Sequence, residues 1–282
     1  VRESNGRTEV VVHGNGGIVA LDATDGSKLW WISGLPSLPI PSPVVGDGLV
    51  YAIAHFAGSA SDEHVDMPKF DELLEAYDQD EDGTISQAEL EAERVLYSRG
   101  DPEGRGDVTL GMIASMADRR GDRDSSLSRH EWGQVEQSRA NVHKAEHAIL
   151  AIRPGMEGDV TASNVVWKEK KALPEVPTAL YYRGNLYAVK NGGIVSCLDG
   201  KSGRLQYRKR IGVGGMIYAS PVAGDGKIYT AWLSGEVVVF DAGNSFNVLA
   251  TNDLGEPIAA TPAIVEGTLY IRTESHLYAF GK

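Results

Sequence analysis

Asp78, Asp80 and Asp82 stand two residues apart and are followed by Thr84, Ser86 and Glu89. In a tightly wound loop, alternate residues turn inward, so this spacing gathers oxygens around one point. A hard divalent cation such as Ca2+ takes about six to eight oxygen ligands. Asp78, Asp80 and Asp82 offer side-chain oxygens, Thr84 its backbone carbonyl, and Ser86 a hydroxyl that acts directly or through a water. Glu89 closes the set with two carboxylate oxygens. Gly83 permits the sharp turn that a residue with a Cβ makes only under strain. Carboxylates this close repel one another unless a cation neutralises them, so the chemistry these residues predict is Ca2+ binding.

Such a loop needs elements to hold its ends. Phe70, Leu73, Leu74 and Tyr77 recur at helical spacing and predict an entry helix. Ser86 and Glu89 have capping-box spacing, predicting an exit helix on which Leu90 and Leu96 pack. Ile85 is expected to bridge to a partner loop. Leu110, Ile113 and Ala117 precede Asp118 at the offsets at which Phe70, Leu73 and Tyr77 precede Asp78. Leu127 stands four residues before Glu131, and Trp132 matches Leu90. Asp118, Asp122, Asp124, Ser126 and Glu131 are therefore candidate ligands of a second loop, two residues longer. Arg119, Arg120 and Arg123 oppose a cation there, leaving Ca2+ occupancy and a purely structural role both open. The two copies resemble a pair of EF-hands. A stretch from Asp101 to Asp107 has Met112 at the closing position and reads as linker. His143-Lys144-Ala145-Glu146-His147 has the spacing of a zinc-protease pattern, but its place just before an apolar strand favours an exposed polar helix end.

The charge points to the same region. The 282 residues carry a formal net charge of −12. Between Ala57 and Glu146 there are 22 Asp and Glu against 10 Lys and Arg, while the remaining residues carry 17 of each. Two physically different modules are expected: an acidic one and a neutral one. A chain this acidic is a poor partner for nucleic acid. No apolar run reaches the ~20 residues of a membrane helix. Cys197 is the only cysteine, which excludes an intrachain disulfide and a thiolate metal cluster.

The neutral part repeats. Pro43-Val44-Val45-Gly46-Asp47-Gly48-Leu49-Val50-Tyr51 is echoed at 180–187, 221–229 and 262–270, each a hairpin signal ending in Tyr. A second element runs from a strand through Asp and Gly to an aromatic: Ala20-Leu21-Asp22 to Trp30, then Cys197-Leu198-Asp199 to Tyr207. The period is steady, 42 residues from Gly184 to Gly226 and 41 from Gly226 to Gly267. Four strands in about 40 residues is the spacing of a propeller blade. Gly48 to Gly184 exceeds one period by 94 residues, and the acidic module falls in that surplus. The expected division is propeller at 1–56, insertion at 57–146 and propeller at 147–282. Trp30, Trp31, Trp167 and Trp232 are expected to pack blades.

These residues resemble the PQQ-like β-propeller repeat family, with the tryptophan-docking pattern at Ala20 to Trp30. Leu150 to Trp167, Thr251 to Glu256 and Tyr270 to Thr273 resemble its bacterial members. The resemblance implies an all-β propeller of four-stranded blades, here a partial ring of a seven- or eight-bladed disc, and the acidic loops add an inserted all-α EF-hand pair. About four and a half blades are legible, so a chain truncated at its N-terminus is expected. The quinoprotein dehydrogenases of this fold have a vicinal cysteine pair that a lone Cys197 cannot form, so PQQ is not expected as a cofactor. The leading expectation is a non-enzymatic, calcium-binding propeller for recognition or scaffolding, with a protein or peptide partner, in the bacterial periplasm or secreted. A periplasmic assembly factor is a related expectation. The alternative is a quinone-dependent or sugar-acting enzyme whose catalytic residues lie partly outside the chain.

Overall fold

The structure is a computed structural model and describes residues 2–4, 6–14, 16–36, 39–55, 67–97 and 107–281. The chain forms two compact units, one of Val1–Phe56 with Ala145–Lys282 and one of Ala57–Lys144.

The first unit is built from the repeated hairpin. Asp47-Gly48, Arg183-Gly184, Asp225-Gly226 and Glu266-Gly267 all have positive φ at both residues. Each connects strands in register across a two-residue loop, for example Gly46↔Leu49 and Gly224↔Lys227. That is the turn whose twist matches paired strands, and glycine at its second position makes it accessible. A further two strands complete a blade-like sheet. Val44–Gly46, Leu49–Ala54, Ala148–Ile152 and Val165–Glu169 form one. Leu180–Tyr182, Asn185–Lys190, Ile194–Asp199 and Leu205–Arg210 form the next. Val222–Gly224, Lys227–Ala231, Glu236–Asp241 and Val248–Asp253 form another. Ala263–Val265, Thr268–Arg272 and Leu277–Phe280 make a three-stranded sheet. An N-terminal sheet runs from Arg2–Ser4 through Arg7–Gly14, Gly17–Asp22 and Lys28–Ser33 to a parallel strand, Gly158–Asp159.

The register slips at matching places, at Ala20/Leu21, Cys197/Leu198 and Val239/Phe240, each just before the Asp that opens the following turn. The short first strands neighbour one another in sequence: Val44–Gly46 with Leu180–Tyr182, then Val222–Gly224, then Ala263–Val265. Strands Leu49–Ala54 and Ala148–Ile152 are almost wholly buried, as a strand covered on both faces must be. Trp167 docks on the next sheet. Its Nε1 donates to the Gly200 carbonyl at 2.9 Å, and its ring covers Gly203, where a Cβ would approach to 2.5 Å. Trp30 and Trp232 are buried too. Trp31 is not; it alternates to the other face of its strand and lies under Lys28 Nζ.

The second unit contains helices α1 (Phe70–Tyr77), α2 (Leu110–Arg120) and α3 (Arg129–Lys144). Its core gathers Leu73, Ile85, Leu96, Leu110, Leu127 and Trp132, each at most 2% exposed. It is not all-α. Ile85–Ser86 pairs antiparallel with Ser126–Leu127, and Val95–Tyr97 with Val108–Thr109. The helix expected after Glu89 is absent. The Ser86 carbonyl accepts the Glu89 and Leu90 amides, but no helix forms across 87–94 before the strand at Val95. The β-branched Val95 and Val108 favour the ladder, and Leu96 reaches the core from a strand rather than a helix. No helix among the described residues is long and apolar enough to cross a membrane.

Candidate metal centre

The first loop begins where α1 ends. The acidic start of α1, Asp71 and Glu72, suits the positive end of the helix dipole, and Phe70 and Leu73 anchor it in the core. Asp78, Asp80 and Asp82 each bring a carboxylate oxygen to within 4.8 Å of the others, a donor set able to hold a hard cation. Backbone amides fix them. Asp82 N–H donates to Asp78 Oδ1 and Asp80 Oδ1, each at 3.2 Å, and Gly83 N–H to Asp78 Oδ2 at 3.1 Å. Gly83 has φ +85°, the left-handed turn that this wrapping requires. Thr84 donates both N–H and O–H to Asp82 Oδ1 at 2.7 Å.

Glu89 stands at the far end of the loop with both oxygens engaged. Oε2 accepts Ser86 N–H at 2.8 Å and Ser86 O–H at 2.7 Å, while Oε1 accepts Gln79 N–H at 2.9 Å. The Ser86 amide, then its hydroxyl, then the Gln79 amide lower the Glu89 pKa to about 2. The group is an anion at any physiological pH.

The second loop, from Asp118 to Glu131, joins α2 to α3. Leu110, Ile113, Ala114 and Ala117 bury one face of α2, and the Thr109 hydroxyl caps it by accepting Met112 N–H. Asp118, Asp122 and Asp124 form a second set of oxygens within 4.8 Å. Asp118 Oδ1 accepts Ser125 N–H at 3.1 Å, and Asp124 Oδ1 accepts Ser126 N–H at 2.8 Å. Ser86 and Ser126 are Cα partners in the small ladder joining the loops, beside Ile85 and Leu127. Arg119, Arg120 and Arg123 are exposed. Two participants were missed from the sequence. Ser128 holds Glu131 as Ser86 holds Glu89, and the repeated Ser-x-x-Glu spacing was the available signal. Gly121 lies against Glu131 Oε1, a contact that spacing does not reveal.

The zinc-protease-like pattern does not assemble. Helix α3 ends at Lys144, so His147 lies beyond it. Glu146 instead pairs with Lys168 at 2.5 Å and Lys170 at 3.4 Å. His147 Nδ1 lies 3.3 Å from Nδ1 of the buried His55, a partner that no motif flagged. Most of the Asp101–Asp107 stretch lies outside the described residues. Cys197 is buried, with Sγ 3.5 Å from the Gly243 carbonyl, and burial raises its thiol pKa to about 11.

A family model described as outer membrane protein assembly factor BamB matches residues 2–282. The chain belongs to the BamB family. Among solved structures, BamB from Moraxella catarrhalis superposes with a TM-score of 0.53 at 12% identity, over 98% of this chain and 56% of that one. At that identity the likeness shows the fold, a PQQ-like repeat propeller. This chain thus spans little more than half of its structural relative. A quinohemoprotein alcohol dehydrogenase from Pseudomonas putida HK5 aligns at 18% identity and a TM-score of 0.31, over 38% of this chain and 19% of its own, too low a score to compare folds. No curated protein matches by sequence.

Proposed function

We propose that this chain is a non-enzymatic, calcium-binding β-propeller that recognises or scaffolds protein or peptide partners in the bacterial periplasm. Family membership supports the binding role and the compartment, because the family is described as an outer membrane protein assembly factor. The calcium reading rests on one observation: the Asp78, Asp80 and Asp82 oxygens gathered within 4.8 Å, with Glu89 at the end of the same loop. Anions so close are costly together without a cation, and the residues fit an EF-hand at each ligand position, from Asp78 through Thr84 and Ser86 to Glu89.

Calorimetric titration of the whole chain with Ca2+ tests this reading. Binding is expected, and Asp80→Asn or Glu89→Gln weakens the first loop's step at least about tenfold, because each removes a ligand charge. Absence of any binding up to millimolar Ca2+ would sink the calcium reading and leave the family assignment standing.

A further inference from the structure

The loop that best matches the motif is not the one whose carboxylates most need a cation. Glu131 is only 3% exposed. Its Oε2 accepts Ser128 N–H at 2.9 Å and Ser128 O–H at 2.8 Å. Its Oε1 is buried and has no hydrogen-bond partner. That oxygen faces Gly121, inside the loop, and sits where a side-chain carbon on Gly121 would have to go. The same loop holds the clustered oxygens of Asp118, Asp122 and Asp124. A buried anionic oxygen without a partner bears its full desolvation cost, and a cation among the three aspartates relieves it.

The first loop is arranged differently. Both Glu89 oxygens already accept hydrogen bonds. Asp78 and Asp82 each accept two as well. The aspartates of both loops accept backbone amides, Asp118, Asp122 and Asp124 among them; the difference is Glu131 Oε1, which a cation entering the second loop would satisfy. The arginines that argue against the second loop are solvent-exposed, and Arg123 Nε is directed to the Arg119 carbonyl at 3.1 Å. Their opposition is weakened by water and salt.

We propose that the longer second loop, held by Asp118, Asp122, Asp124 and Glu131, is the tighter cation site and fills before the first. This inference rests on the calcium reading above. With one unsatisfied charged oxygen as the difference, the gap is about tenfold or more.

The test is calorimetric titration with Ca2+ alone on the whole chain, comparing the wild type with Glu131→Gln, Gly121→Ala and Glu89→Gln. Gly121 has φ −88° and ψ −132°, outside the regions a residue with a Cβ favours, so alanine there both suits the turn poorly and crowds Glu131 Oε1, without changing any charge. The tighter step is expected to vanish in Glu131→Gln and Gly121→Ala, and the weaker one in Glu89→Gln. Loss of the tighter step in Glu89→Gln, or its survival in both second-loop variants, overturns the proposal and leaves the calcium reading intact. No binding in the wild type overturns both. The far-UV helix signal of each variant separates lost binding from lost folding; if Glu131→Gln or Gly121→Ala unfolds, Asp124→Asn, at an exposed member of the cluster, carries the decision, and survival of the tighter step there overturns the proposal.

Discussion

Trp167 and Gly203 show how one contact ties neighbouring repeats together. The indole fills the space over a residue that has no side chain and bonds the carbonyl of Gly200 three positions earlier. Gly203→Ala places a methyl 2.5 Å from the ring, at a backbone φ of +70°, and is expected to cost about 1–3 kcal/mol by overpacking. Trp167→Ala is expected to cost about 3–5 kcal/mol. Because the two share one contact, their effects in urea unfolding are expected not to add; simple additivity would refute this docking role. At this scale the sequence was informative wherever spacing itself carries chemistry, as at Asp78, Asp80, Asp82 and Ser128-x-x-Glu131. It was silent on Glu131 Oε1 and Gly121, because burial and an absent partner arise only when α2 and α3 come together.

Among the elements, the strands and their turns were the most legible, since two-residue hairpins and period-two burial are local signals. The helix expected after Glu89 was not formed. A capping pattern specifies a start, but Val95 and Val108 draw the following residues into a ladder, a pairing set by tertiary contacts. The strands around the insertion also carry a pH signature. His55, 6% exposed, follows Leu49–Ala54, and His147 precedes Ala148–Ile152. Burial first, then His147 and Lys190, lower the His55 pKa to about 4. Burial alone does the same for His13. A depressed histidine pKa means that the unfolded chain takes up protons before the folded one. Stability is therefore full above about pH 6.5 and falls as the pH drops from there towards 4, by about 3 kcal/mol from His55. Urea unfolding across that range should show the decline, and His55→Gln should flatten it. An unchanged slope in that variant would remove His55 as the cause.

At the scale of the whole molecule, the charge divides as the contacts do. The acidic residues 57–146 lie almost wholly in the unit Ala57–Lys144, and the neutral repeats make up the other. On the proposed calcium reading, chelation should loosen the first of these while the β-sheet signal persists. A sharper version removes residues 57–144 altogether. The chain would then keep five residues between Ala54 and Ala148, which are already paired in the sheet, and hairpins accept about five. The shortened chain is expected to keep its β signal and to lose Ca2+ binding; collapse of the β signal would show that the insertion is needed to fold the sheets. The ladder from Ala54↔Ala148 to Val50↔Ile152 has one more consequence. It makes this blade a natural cloning site: strands that meet at ordinary hairpin spacing are joined here by 93 residues, and about five suffice to join them in the same register. Other cargo whose own ends lie close together can be exchanged at the same seam, turning the propeller into a general carrier of grafted modules.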